Sequence, residues 1–212
     1  NSFTLTGLSP EIQYYLQVYE YRGSGLSANY FTDPASGNPG NHYTLSTEPS
    51  SHATPFTATA ASSSSINLSW NAASGAFGYM ILQRTGANPT GTPTDGQAYS
   101  VSDVIGDATV AAIVTPGTST TISGLSAGTA YYFSVVPYNW NASAAQTYNY
   151  RTAATIPTAN ATTFAAEPTT QASSIAVGSY AEVSMSAINW TDGNGASRLV
   201  VAKAGGAVDS FP

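Results

Sequence analysis

Short runs in which apolar and polar positions alternate recur along the whole chain. Ile66, Leu68 and Trp70 are separated by Asn67 and Ser69, and Tyr131, Phe133 and Val135 by Tyr132 and Ser134. A period of two places one set of side chains on one face of an extended strand. β-Branched and aromatic residues dominate these runs, and Gly, Pro, Asn or Asp interrupts them roughly every 8–12 residues. Helical periodicity sustained over three turns appears nowhere. The pattern predicts strands near 55–60, 63–70, 78–84, 97–101, 109–114, 118–123, 129–138 and 147–155, with a last extended stretch at 157–165. Residues 86–96, Gly-Ala-Asn-Pro-Thr-Gly-Thr-Pro-Thr-Asp-Gly, carry too many turn formers for a strand and read as a long loop inserted after the third strand. Many short strands so punctuated predict an all-β sandwich.

The pattern also repeats. Thr4-Leu5-Thr6-Gly7-Leu8-Ser9-Pro10, followed by Tyr14-Tyr15-Leu16-Gln17-Val18-Tyr19, matches Thr121-Ile122-Ser123-Gly124-Leu125-Ser126-Ala127, followed by Tyr131-Tyr132-Phe133-Ser134-Val135-Val136, at an offset of 117. Downstream, Glu48-Pro49 matches Glu167-Pro168 at 119, Arg84 matches Lys203 at 119, and Trp70 matches Trp190 at 120. A repeat therefore spans 117–120 residues, and drift of a few residues belongs to loops. The chain divides into the late part of one repeat (1–47), a complete repeat (48–166) and the early part of another (167–212).

Leu125 and Tyr131, with Gly128-Thr129 between them, resemble the tyrosine corner of fibronectin type III domains, in which the Tyr hydroxyl bonds back to upstream backbone. Leu8 and Tyr14 keep the same spacing, and Trp70 and Trp190 each resemble the core Trp that closes the family's second strand. More narrowly, Pro93-Thr94-Asp95-Gly96-Gln97-Ala98-Tyr99, Ile105-Gly106-Asp107-Ala108-Thr109-Val110, Pro137-Tyr138-Asn139-Trp140, Asn149-Tyr150 and Trp190-Thr191-Asp192-Gly193-Asn194-Gly195 resemble a fibronectin-type repeat found in secreted and surface proteins of Bacteroidota. The resemblance covers essentially the whole chain. It implies tandem immunoglobulin-like (fibronectin type III-like) β-sandwiches that space, adhere or link and rarely catalyse. The repeat is longer than the usual module, so an extra strand pair or ordered loop is expected after the third strand.

Composition narrows the function classes. Charged residues make up only 8% of the chain, against about 25% in typical soluble domains, so the surface is neutral and hydroxyl-rich. The 14 Tyr, 7 Phe and 3 Trp argue for packed structure, because disordered segments are poor in aromatics. Net charge is −6, and the five basic residues are scattered, which excludes the clustered Lys/Arg that a phosphate backbone or an anionic membrane surface requires. The absence of cysteine excludes disulfides, thiolate metal sites and a Cys nucleophile. No apolar run is long enough to span a bilayer as a helix, and any targeting signal would lie outside a segment that opens inside a repeat.

Candidate chemistry is sparse. His42 and His52 stand in the join between the first two copies, with neither a Ser-His-Asp arrangement nor metal-ligand spacing around them. Asp192-Gly193-Asn194-Gly195, and Asp103 with Asp107, offer oxygens of the kind calcium takes, but tight turns account for the same residues. Arg22-Gly23-Ser24 lacks the Asp of an integrin-binding triplet. No catalytic, cofactor-binding or metal-binding residue is expected. The one group with ligand potential is aromatic: Tyr138, Trp140, Tyr148 and Tyr150 could stack on sugar rings or fill a cross-strand packing cluster.

The expectation is a non-catalytic structural or adhesive segment of an extracellular or cell-surface protein, whose partners are neighbouring repeats, with no nucleic acid and no membrane insertion. Two other classes stay open. One is an accessory carbohydrate-binding module of a secreted enzyme. The other is a head-to-tail polymer subunit using strand complementation, against which stands the lack of any counterpart to residues 94–117 in the two partial copies.

Overall fold

A computed structural model describes residues 2–208. The chain forms two compact units, Asn1–Phe164 and Ala165–Pro212. In the first, four short strands come before the complete repeat: β1 (Gln13–Leu16), β2 (Glu20–Arg22), β3 (Asn29–Phe31) and β4 (Gly40–Tyr43). β1 pairs antiparallel with β4, Tyr14 opposite His42, and β2 pairs with β3, Tyr21 opposite Tyr30.

The complete repeat supplies β5 (Phe56–Ala60), β6 (Ser65–Trp70), β7 (Gly78–Thr85), β8 (Val104–Ile105), β9 (Ala108–Val114), β10 (Ser119–Ser123), β11 (Ala130–Asn139), β12 (Asn149–Tyr150) and β13 (Thr158–Thr162). They form two sheets, one ordered β10-β6-β5 and the other β12-β11-β7-β9-β8, with β13 also paired to β11. The fold is thus an all-β sandwich. Ile66, Leu68 and Trp70 of β6 point inward and meet Tyr79 and Ile81 of β7 and Tyr131, Phe133 and Val135 of β11. The alternation in the sequence is the inner face of the sandwich.

Alternation breaks down in β7 and β11, and the structure shows why. Met80, Leu82, Val136 and Tyr138 point the other way, into a second core with Ile105, Ala108, Val110 and Tyr150 on the outer face of the larger sheet. Strands buried on both faces lose the polar half of the pattern. The extra length of the repeat is spent here: the loop after β7 and the hairpin β8–β9 cover this outer face.

One expected strand is absent and another is shortened. Residues 97–101 are coil running into a turn, in which the Ser100 amide bonds to the Asp103 carboxylate at 2.7 Å and Tyr99 packs its ring against the second core. The strand expected at 147–155 shrinks to Asn149–Tyr150, because a 3-10 turn at Ala145–Thr147 precedes it and the irregular Arg-Thr-Ala-Ala-Thr-Ile-Pro stretch at 151–157 follows. A local apolar run cannot reveal that its burial comes from a loop folded over it.

The second unit consists of β14 (Ser173–Ala181) paired with β15 (Ser184–Thr191), with a register irregularity between Ser173 and Ala176, followed by coil. Trp190, expected in a core, is 37% exposed, and its indole N–H donates to Asp192 at 2.9 Å. Trp70 is buried because β7 and β11 lie across from β6, whereas among the described residues of this unit only one two-stranded sheet is present.

Phe133 is fully buried where the two sheets meet. Phe133→Ala is expected to destabilise the complete repeat by about 3–5 kcal/mol, read as a lowered midpoint in urea unfolding with little change in slope.

Candidate functional site

The two corner tyrosines make the same contacts in both copies. The Tyr131 hydroxyl accepts from the Ser126 amide at 2.9 Å, and the Tyr14 hydroxyl accepts from the Ser9 amide at 2.9 Å. Leu125 packs against the inner core, while Leu8, its counterpart, is exposed at the edge. A threonine that sequence reading missed braces each corner. Thr163 Oγ1 donates to the Ser126 carbonyl at 2.7 Å and accepts from the Thr129 amide at 3.0 Å. Thr44 Oγ1 donates to the Ser9 carbonyl at 2.7 Å and accepts from the Ile12 amide at 3.1 Å. The signal was present, since Thr44 and Thr163 stand 119 apart, the offset of the nearby Glu-Pro pair. The corner also holds Gly128 at φ 61° and its counterpart Glu11 at φ 62°, so the backbone demands a left-handed residue at both places.

The four aromatics come together, though not as a surface. Trp140 stacks on Tyr148 (centroids 4.7 Å, 18° between planes), Tyr148 stacks on Tyr150 (5.7 Å, 11°), and Tyr138 lies tilted against both tyrosines. Phe77 meets Trp140 edge-on and Tyr99 meets Tyr150 edge-on. Tyr138 and Tyr150 are buried, in contrast to the exposed face that sugar stacking would use. The cause is the inserted loop. The Asp95 carboxylate accepts from the Tyr150 amide at 2.8 Å, the Tyr150 hydroxyl donates to the Gln97 carbonyl at 2.9 Å, and the Gly96 amide donates to the Tyr148 carbonyl at 2.8 Å. The Tyr138 ring in turn lies where a Cβ on Gly78 would sit, so β7 needs glycine there. Burial raises the ionisation of Tyr138, Tyr148 and Tyr150 above the ordinary tyrosine range, and their neighbouring hydroxyls push Tyr148 and Tyr150 further.

This aromatic end of the sandwich carries the linker. The Ser46 amide donates to the Thr147 carbonyl at 2.8 Å, Asn149 Nδ2 donates to the Ser46 carbonyl at 2.7 Å, and Asn139 Nδ2 donates to the Thr47 carbonyl at 3.1 Å. Arg151 pairs with Glu48 at 3.5 Å, and a ring nitrogen of His52 lies 2.7 Å from the Ala153 carbonyl. Both Ser46 and Pro49 are buried. The seat itself is braced by Asn141, whose side-chain oxygen accepts from the Ser143 and Ala144 amides, while Thr147 Oγ1 donates to the Ala144 carbonyl. None of Asn139, Thr147, Asn149 or Arg151 was singled out for this role by sequence. The sequence signal that could have drawn attention there is the recurrence of Asn149-Tyr150 as Asn29-Tyr30, 120 residues apart.

The acidic residues are engaged locally. Asp107 accepts from the Thr90 amide, the Thr90 hydroxyl and the Gly91 amide at 2.7–3.1 Å and pairs with Arg84 at 2.5 Å, tying the inserted loop to the β8–β9 turn. These bonds, the Thr90 amide foremost, hold its carboxyl down at about 2. Asp192 pairs with Arg198 at 3.2 Å, and Arg198 also donates to the Gly193 and Gly195 carbonyls across the Gly-rich turn. Among the described residues, no three His, Asp or Glu side chains gather as a metal cluster.

No family model matches the chain, and no curated protein matches it. Its structural neighbours are fibronectin type III domains. The fn3 domain of human contactin 1 matches 65% of this chain and 98% of its own length at 18% identity and TM-score 0.42. The FN3 domain of human collagen XX matches 47% of this chain and 88% of its own at 22% identity and TM-score 0.30. Domains d3–d4 of the rat CD45 extracellular region match 77% of this chain and 70% of theirs at 17% identity and TM-score 0.32. The assignment to the β-sandwich class rests on the strand order and cores described above.

Two pH predictions follow from these contacts. The Asp107 carboxyl ionises below its ordinary 3.8, so the stability it contributes is full above that value and is lost as pH falls towards about 2. Acid unfolding of Asp107→Asn is therefore expected to be less steep than that of the parent across this window, followed by circular dichroism. At the alkaline end the sign reverses. Tyrosines raised by burial lose their stabilising contribution as pH climbs above the ordinary value of about 10. An absorbance titration of tyrosinate is expected to show a late phase, from Tyr138, Tyr148 and Tyr150, above the ordinary tyrosine value.

Proposed function

We propose that this chain is a non-catalytic structural segment of an extracellular or cell-surface protein, in which sandwich repeats are spaced by linkers seated on the next repeat. One observation carries this reading. Residues 46–48 are held on the hairpin end of the complete sandwich by three hydrogen bonds and an ion pair, which is more than a passive tether requires. A flexible linker leaves its backbone to water, whereas here each backbone group from the Ser46 amide to the Thr47 carbonyl that bonds the seat has a named partner. Pro49 follows at once and restricts φ. The aromatic stack supports the same role, since its ring faces are used within the stack to hold the hairpin that forms the seat. The lineage, secreted or surface repeats of Bacteroidota type, is proposed on the sequence marks alone.

The joint has a direct test. Each hydrogen bond contributes about 0.5–1.5 kcal/mol to keeping the seat closed. Asn149→Ala combined with Arg151→Ala is expected to raise proteolysis within residues 44–50 by about tenfold, because cleavage tracks the population of the locally open form. The unfolding midpoint of the sandwich is expected to change little. A cleavage rate equal to that of the parent would overturn the seated joint.

A further inference from the structure

A strand at the edge of a sheet offers unpaired N–H and C=O groups to any other strand, and most edges of the complete repeat are blunted against this. β8 and β12 are two residues long, and Asp95 occupies the Tyr150 amide of β12. β5 and β13 lie beside each other, and β9 carries a bulge between the partners of Ile81 and Leu82. β10 (Ser119–Ser123) is left open. It is an edge of the smaller sheet, it pairs with β6 over its five residues without a register shift, and no described strand pairs with its far side.

The ladder fixes which backbone groups of β10 face outward. The Trp70 amide donates to the Thr118 carbonyl at 2.9 Å, so Thr118, Thr120 and Ile122 turn their backbone groups towards β6. Ser119, Thr121 and Ser123 alternate with them and turn theirs outward, and all three are exposed. Charge and proline are the usual guards of such an edge. Here no Asp, Glu, Lys or Arg stands between Glu48 and Arg84 or between Asp107 and Arg151, so β5, β6 and β10 are all uncharged. The same charge-free alternation, Ser2-Phe3-Thr4-Leu5-Thr6, recurs 117 residues before Ser119–Ser123. Beside the end of β10 an open groove of about 270 Å³, lined by Val101, Ala111, Ile122 and Leu125 among others, lies between it and β9. Val101 is 57% exposed there.

We propose that this edge is a self-association site, at which β10 of one copy pairs antiparallel with β10 of a second. The occupant follows from symmetry. A two-fold axis at Thr121 sets Thr121 opposite its own counterpart and Ser119 opposite the second copy's Ser123. All three outward-facing residues then meet outward-facing residues, and each pair exchanges two hydrogen bonds. Registers displaced along the strand leave at least one of the three without a partner in the strand. Two uncharged edges meet without repulsion, and the two smaller sheets become one continuous sheet. The two-fold closes the contact, so it gives a dimer and not a filament. A ladder of five residues is short against the roughly 1,200 Å² of total area that a stable interface buries, so the association is weak and reversible. The proposal goes beyond the spacer reading and does not use the seated linker, so either can fail alone.

The chain has no cysteine, so one introduced thiol reports on one position. Thr121→Cys in the full chain, oxidised and run on a non-reducing gel, is expected to give a covalent dimer. Opposed Cα atoms in such a pair lie about 5.5 Å apart, within disulfide reach. Ser119→Cys alone is expected to give at least tenfold less dimer, and Ser119→Cys combined with Ser123→Cys to recover it. Sedimentation equilibrium of the cysteine-free chain is expected to show reversible dimerisation. Thr121→Lys, which sets two like charges face to face, is expected to raise the dissociation constant at least tenfold while the circular dichroism stays that of the parent. A monomer at every concentration with no Thr121→Cys dimer would overturn the proposal. So would an unchanged constant in Thr121→Lys, or as much dimer from Ser119→Cys as from Thr121→Cys, which would mean contact without this register.

Discussion

The ladder between β7 and β11 is the contact on which the complete repeat depends. It runs through eight residue pairs, from Tyr131 opposite Thr85 to Tyr138 opposite Gly78, and most of its side chains are buried. On one face it closes the inner core against β6, and on the other it forms the floor of a second core. Burying a large side chain in such a place contributes about 1.5–3 kcal/mol. A two-sided ladder therefore concentrates much of the stability of the sandwich in one pair of strands.

The second core explains the rest of the architecture. An outer sheet face left apolar must be covered, and the inserted loop covers it with Asp95, Gln97 and Tyr99 bonded or packed onto Tyr150. The same cover stiffens the 140–150 hairpin, and the hairpin then presents Thr147, Asn149 and Asn139 to the linker. The path from extra sequence length to a seated joint thus runs through one physical requirement, that β11 be buried twice.

The partial copies show the same physics with the ladder removed. β1 and β2 keep the corner geometry of β11, down to the Tyr14 and Thr44 bonds, because those contacts are local or made within one sheet. They do not keep the burial: Leu16 and Val18, the counterparts of Phe133 and Val135, are exposed, and Trp190 is 37% exposed.

The sequence by itself was enough for the strands of the inner face, the repeat of 117–120 residues and the tyrosine corners. Each of these is written in spacing: alternation at period two, a fixed offset, or a Leu and Tyr six residues apart. It also isolated the four aromatics and leaned towards internal packing over sugar stacking. Only the tertiary structure decided between them for Tyr138 and Tyr150, which it buries, and it turned 97–101 from strand into cover. It alone showed that Asn149 and Arg151 meet a linker about 100 residues earlier in the chain. Contacts of that range depend on which loop folds over which face, and no local pattern of apolar and polar residues records it.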